Sequence, residues 1–277
     1  MSSSQTPDPG ISGAAELERR CELLRSLHVS GDPLVLPNAW DVASAKAVEA
    51  AGFPVVATTS GGVAASLGYE DHEGAPGDEM LAAAARIGRS VNIPMTVDAE
   101  AGYGMEPADL VAALRGMGAV GCNLEDTNHA TGSLRDPVQH ADWLRRVREA
   151  AGDEDYGLVI NARIDVFLSA VVSGSGEGTQ AELVTDALTR AHAYREAGAD
   201  CMFPILLWET DALRIFISEA PGPVNVLSFL RAPSLAELAE LGAARVSYGS
   251  ILHRDVMEQF TGFLGSLAAD LTKRAKR

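Results

Sequence analysis

Basic residues are scarce in this chain. Its 22 Lys and Arg stand against 38 Asp and Glu, a formal charge of −16. That balance excludes a nucleic-acid footprint and attraction to anionic lipid, both of which need clustered positive charge. An anionic small molecule, in turn, must meet a local cationic side chain. Cysteine is sparse as well: Cys21, Cys122 and Cys201 are odd in number and far apart, which is neither a disulfide framework nor a zinc-ligand pattern. A reducing, cytoplasmic setting is the expectation. No apolar run approaches the roughly 18 residues of a membrane helix. The opening "MSSSQTPDPGISG" has no basic or apolar stretch of the secretory kind and reads as a disordered lead-in over 1–13, before one domain over 14–277. Neither a P-loop, nor a dinucleotide-binding glycine fingerprint, nor a Ser-His-Asp order occurs.

What the chain does have is alternation. Eight short apolar runs, at 34–39, 54–59, 94–99, 119–125, 158–165, 199–205, 224–229 and 245–250, are each followed by a longer stretch rich in Ala, Leu, Glu and Arg. A further helix is expected in "AAELERRCELLRSLH", ahead of the first run. Glycines suited to end helices punctuate "VEAAGFP", "LRGMGAV", "YREAGAD" and "LAELGAAR". Eight β-then-α units in 277 residues predict an α/β chain folded as a single (β/α)₈ TIM barrel, a fold of about 250 residues. An open doubly wound sheet is the alternative.

A barrel of this kind carries its chemistry at the C-terminal ends of its strands, and polar residues gather there. Asn38 and Asp41, Ser60 with Gly61 and Gly62, Asp98 and Glu100, Asn123 and Glu125, Asn161 with Arg163 and Asp165, and Asn225 all lie at or just past the end of a run. Side chains two apart on a strand share a face. Asp98 with Glu100, in "VDAEAGYG", and Glu125, in "NLEDT", are therefore expected to meet. Three carboxylates are costly to bury together, since like charges and desolvation both disfavour the anions. Mg²⁺, or Mn²⁺, would relieve that cost and leave positions for substrate oxygens. Surface ion pairs or helix caps are the simpler reading of any one of these acids. Arg163, in "NARID", offers a fork for a carboxylate, or else simply pairs with Asp165. In "TTSGGVAASLG" the glycines and the Ser60 hydroxyl could admit an anion, although a plain turn explains them almost as well. Asp71, in "LGYEDHEG", is a loop acid able to act as a base, or is merely solvated. His72 and His129 carry no assignment, Cys122 reads as a core residue, and Ser250 as a helix cap.

Together, "NAWDVASA", "SGGVAASLG", "VDAEAGYG", "NLEDT" and "INARID", in this order over about residues 34–250, resemble the isocitrate lyase and phosphoenolpyruvate mutase superfamily, including its carboxyvinyl-carboxyphosphonate phosphorylmutase-like members. The resemblance implies a barrel assembled as a dimer of dimers with the last helix exchanged, acting on a metal-bound small carboxylate through an enolpyruvate-like intermediate. It further implies that Asp98, Glu100 and Glu125 hold Mg²⁺ directly or through water, with Asp71 nearby. Ser60, Gly61 and Gly62 would cradle the substrate carboxylate, Trp40 would line the pocket, and Arg163 would contact substrate or leaving group. Two departures stand out. The loop that in the carbon-carbon lyases carries a catalytic cysteine reads "EDTNHATGSLRD", and Ile205 follows Pro204 where those lyases tend to place a glutamate. The phosphonate branch uses Lys, Thr and Asn in that loop; Asn128 and Thr131 are present without a lysine. Carbon-carbon cleavage of a small 2-oxo or 2-hydroxy di- or tricarboxylate, oxaloacetate-type decarboxylation among the options, is the expectation. Phosphorus-carbon chemistry is the alternative, and a non-catalytic barrel that binds an oxo acid the third reading.

Overall fold

The computed structural model describes residues 9–174 and 180–275. Helix α1 (Pro9–Ser26) leads into strand β1 (Leu34–Leu36). Residues 1–8 of the expected lead-in lie outside the described residues; the rest of it does not stay irregular, because α1 begins at Pro9. Proline's fixed φ suits the first turn of a helix, which explains the earlier start.

The barrel then runs through β2 (Asn38–Ala39), α2 (Val42–Ala50), β3 (Val56–Thr58), α3 (Ser60–Leu67), α4 (Gly77–Gly88), β4 (Met95–Asp98), α5 (Pro107–Gly116) and β5 (Ala119–Glu125). A small hairpin, β6 (Thr127–Asn128) and β7 (Ser133–Leu134), precedes α6 (Pro137–Asp153). There follow β8 (Val159–Ile164), α7 (Val166–Val172), α8 (Val184–Glu196), β9 (Cys201–Pro204), α9 (Thr210–Glu219), β10 (Asn225–Leu227), α10 (Leu235–Leu241), β11 (Arg245–Ser247) and α11 (Ile251–Ala275).

Six strands pair in parallel in the order β2-β3-β4-β5-β8-β9, and β1-β11-β10 pair likewise. Strands β1 and β2 form one stave broken at Pro37, which has no N–H for the ladder. A parallel bridge between Met202 and Val224 joins β9 to β10, closing the circle at eight staves. The open-sheet alternative is thereby set aside, and each of the eight apolar runs holds one stave. All four punctuating glycines, Gly52, Gly118, Gly198 and Gly242, have positive φ, as a left-handed helix terminus requires.

Every residue of β5 and β8 is buried, as expected for strands covered on both faces. Helix α1 covers the N-terminal mouth of the barrel. Its Leu24 is fully buried, its Glu18 accepts the Gly157 N–H at 2.7 Å, and its Arg25 donates to Asp200 at 3.1 Å. The C-terminal ends of the strands lie at the opposite mouth, which α1 leaves uncovered. Cys21, Cys122 and Cys201 are buried and free, and burial pushes the Cys122 thiol up to about 12. Among the described residues no helix is long and apolar enough to cross a membrane.

One core group titrates against the fold. His140 of α6 is buried with both ring nitrogens unpartnered, stacked on Trp143 and edge-on to Tyr194. Burial lowers its pKa from 6.5 to about 3, helped by the nearby charges of Arg135 and Arg190. Between those two pH values the unfolded chain binds the proton and the folded one does not, so stability falls as pH drops from 6.5 towards 3. His140→Phe keeps the ring packing and removes the titration. We expect its urea midpoint to fall less than the wild type's between pH 7 and pH 4.5; an unchanged loss would show that His140 does not contribute.

Candidate active site

The strand ends converge on a cavity of about 150 Å³, whose polar lining includes Asn38, Ser60, Asp71, Asp98, Asn123 and Arg163. Ile205, Leu206 and Leu227 supply an apolar wall.

Asp98 ends β4. Its backbone N–H donates to Thr58 Oγ1 at 2.9 Å, and its Oδ2 accepts the Ser60 N–H at 3.0 Å. Its Oδ1 is buried without a hydrogen-bond partner. Asp71 Oδ1, from the loop after α3, is in the same state. Two buried carboxylate oxygens left open on one cavity are unusual in a folded protein, and they are the right donors for a hard divalent cation. The close approach of Asp71 explains one glycine: a Cβ at Gly61 would stand 2.6 Å from Asp71 Oδ2.

Glu100 lies just past β4 with φ at 48°, and its Oε1 accepts the Glu73 N–H at 2.7 Å. Glu73 Oε1 in turn accepts the Tyr103 N–H at 2.7 Å. His72, Glu73 and Tyr103 also have positive φ, which for such residues costs on the order of 1 kcal/mol or more each. The reciprocal bonds between the two loops hold this strain in place. Burial raises the Glu100 carboxyl to about 7; the Glu73 N–H opposes that shift, and the charges of Asp98 and Asp71 add to it.

Glu125 ends β5, 1% exposed. Its Oε2 forms an ion pair with Arg163 Nη1, and its Oε1 meets His129 Nε2 at 2.6 Å. Burial pushes its pKa up, against the pull of Arg163. Arg163 also forks onto Asp165, Nε to Oδ1 at 2.7 Å and Nη2 to Oδ2 at 3.1 Å. Arg163 is thus paired with Asp165, and it also lines the cavity. Asp126 is fully buried and locks the scaffold behind it, accepting from the Asp165 N–H, from Arg190 and from the Tyr194 hydroxyl.

Several expectations need correction. Asp98, Glu100 and Glu125 do not form one direct ligand set; among the described residues no three His, Cys, Asp or Glu side chains are placed to hold a metal between them. The reason is competition, since Arg163 and His129 draw in Glu125 while the Glu73 N–H takes Glu100. Asp98 and Asp71 are the acids on the cavity. Trp40 stands beside the site, its ring edge-on to His253 at 5.1 Å. Gly62 serves that packing, since a Cβ there would lie 2.8 Å from Trp40 Cβ. Of the expected cradle, Ser60 lines the cavity, but its N–H is spent on Asp98. Asn128 turns the β6–β7 hairpin, its Oδ1 accepting the Ala130 N–H at 3.1 Å. Asn225 is wholly buried and does not itself line the cavity; it accepts at 3.2 Å from the Oγ of Ser247, which does. Asp41 caps α2. Ser250 precedes α11 and lines the cavity.

Glu73, His72 and His129 are among the residues to which the sequence alone assigns no role. His129 lies four residues after Glu125, a spacing that carries no signal until the hairpin folds back. His72 lies against it, the two rings tilted by 34° with centroids 5.5 Å apart.

The family model described as phosphoenolpyruvate phosphomutase matches residues 24–267. An uncharacterised protein of Mycobacterium tuberculosis is 35% identical over 225 residues, 81% of each chain. The 2-methylisocitrate lyase of Salmonella typhimurium is 30% identical over 237 residues, 82% of this chain and 76% of its own. The crystal structure of a Burkholderia cenocepacia protein, provisionally assigned as a phosphonomutase, superposes with a TM-score of 0.85 at 38% identity, covering 90% of this chain and 99% of that one. With the closed eight-stave barrel and the acids at its strand ends, this match establishes that the chain belongs to the phosphoenolpyruvate phosphomutase family, within the superfamily of lyases and mutases that also holds 2-methylisocitrate lyase.

Proposed function

We propose that the protein cleaves a carbon-carbon bond of a small 2-oxo or 2-hydroxy dicarboxylate through an enolpyruvate-like intermediate, with Mg²⁺ as its cofactor and Mn²⁺ as a substitute. The observation that carries this reading is the pair of open, buried oxygens of Asp98 and Asp71 on the same small cavity as Arg163. Asp98 and Asp71 would hold the cation, with Glu100 and Glu125 behind them through water. When bound, the cation polarises the oxygens of the substrate's oxo-acid end.

Arg163 supplies positive charge towards the oxygen on which negative charge develops, and its fixed pairing with Asp165 and Glu125 means that it need not reorganise as the charge appears. The apolar wall of Ile205, Leu206 and Leu227 excludes water from the reacting bond. A cavity of about 150 Å³ with Arg163 as its cationic lining favours a short di-acid over a tricarboxylate. The hairpin sequence, without a cysteine, favours departure of a group that needs no proton from that side, such as carbon dioxide.

Thermal unfolding with Mg²⁺ and oxalate, a mimic of enolpyruvate, tests the site. The two together are expected to raise Tm more than either alone, because ligands that bind only the folded state stabilise it by mass action. No joint shift would leave a barrel without this chemistry. A panel of oxo acids and phosphonopyruvate, followed by pyruvate and phosphate release, tests the reaction. Pyruvate without phosphate is expected; phosphate release would replace carbon-carbon by phosphorus-carbon cleavage.

Assembly as a homo-oligomer is part of the same proposal. Helix α11 exposes Val256, Met257, Phe260, Phe263, Leu264 and Leu267, an apolar stripe too long for a surface left to solvent. A neighbouring subunit exchanging the same helix would cover it, in a dimer of dimers. Light scattering is expected to give a tetramer, and a monomer at micromolar concentration would refute the exchange.

A further inference from the structure

Beneath the cavity floor sits a cation that the chemistry above does not use. Arg245 opens β11 and is 1% exposed. Its Nε and Nη1 have no hydrogen-bond partner, while its Nη2 donates to Asn123 Oδ1 at 3.2 Å. The same oxygen accepts from Asn161 Nδ2 at 2.8 Å. An amide can present either end to a neighbour, but a guanidinium has only N–H groups to offer. The end of Asn123 turned towards Arg245 is therefore its oxygen. With that oxygen engaged twice from below, the amide nitrogen is left to the side on which Asn123 lines the cavity.

We propose that Arg245 is a positioning residue: it fixes the Asn123 amide with its NH₂ group towards the cavity, where Asn123 donates a hydrogen bond to an oxygen of the bound oxo acid, beside Arg163. The proposal rests on the oxo-acid reading of the cavity. It explains why a cation, rather than an amide or hydroxyl, occupies a place where a buried charge is costly: a neutral partner would let Asn123 flip and turn an acceptor towards an anionic ligand. Asn123 thereby becomes a specificity determinant that favours ligands with an acceptor oxygen at that point.

Calorimetric titration of oxalate into the full-length protein with saturating Mg²⁺ provides the test. Arg245→Met and Asn123→Leu are each expected to weaken oxalate about tenfold, the worth of one hydrogen bond to a charged group. The double variant should bind no more weakly than Asn123→Leu, because Arg245 acts through Asn123. Arg245→Lys, still a donor-only cation, should bind within about threefold of wild type. Asn123→Asp keeps both acceptor roles but has no N–H to offer, so it remains informative where Arg245→Met does not fold; it too should lose about tenfold or more. Additive losses in the double variant, or wild-type affinity in Arg245→Met or Asn123→Asp, would overturn the proposal. If wild-type protein ignores oxalate, the oxo-acid reading itself fails. The orientation of Asn123 is then decided by its side-chain ¹⁵N–¹H resonances, identified by their loss in Asn123→Leu. They should shift in Arg245→Met and stay in place in Arg245→Lys, and unmoved signals in Arg245→Met would overturn the positioning role.

Discussion

Arg163→Ala is expected to lower turnover of the selected oxo acid at least a hundredfold, and to destabilise the fold as well. The catalytic part follows from removing the cavity's cation, a loss of about 3 kcal/mol or more of charge stabilisation in a site shielded from water. The stability part follows from what the side chain leaves behind. Glu125 and Asp165 are 1% and 0% exposed, and both face the guanidinium. Removing one partner of a buried ion pair costs about 3 to 5 kcal/mol. Asp165 keeps the Thr127 hydroxyl at 2.5 Å and Glu125 keeps His129 at 2.6 Å, so the lower end of that range is expected. Urea unfolding separates the two effects, and turnover is to be read where circular dichroism shows the variant folded. Arg163→Lys retains a charge but cannot fork onto Asp165, so it should recover part of the stability and little of the rate. Near-normal turnover in folded Arg163→Ala would remove Arg163 from the chemistry.

The parts of this site that local pattern could reveal are those set by strand ends. Asp98 and Arg163 follow from a barrel whose apolar runs stop where polar residues begin, and both line the cavity. The same alternation marks all eight staves, because strands buried on both faces must be apolar throughout. What local pattern does not carry is competition between partners. Glu125 and Arg163 lie 38 residues apart and become neighbours through the β5–β8 register, which sets Glu125 opposite Arg163. Nothing near either residue announces that pairing, so Glu125 reads as a metal ligand when its first partner is an arginine. Asn128 fails differently: its side chain turns its own hairpin, a use open to any Asn in a tight turn. Asn123 and Arg245, 122 residues apart, meet only because the barrel closes.

Asp98→Ala is expected to abolish the joint stabilisation by Mg²⁺ and oxalate and to lower turnover at least a hundredfold, a loss of roughly 3 kcal/mol. Its Oδ1 is buried and unpartnered, and its Oδ2 has only the Ser60 N–H. An anion so poorly compensated by the protein is favourable to keep only if something positive joins it. Without that partner the carboxylate costs stability; deleting it should therefore leave the metal-free protein as stable as wild type or more so. That opposite sign distinguishes a ligand from a structural acid. If Asp98 served the fold, Asp98→Ala would lower the metal-free Tm by leaving the Ser60 N–H without its acceptor. If it serves the cation, the metal-free Tm holds and only the increment from Mg²⁺ with oxalate disappears. Asp71→Ala should behave alike but more weakly, since Asp71 comes from a loop and Asp98 from the end of a barrel strand, β4. A full Mg²⁺ and oxalate increment surviving in Asp98→Ala would displace the cation from this place and, with it, the carbon-carbon cleavage built around it.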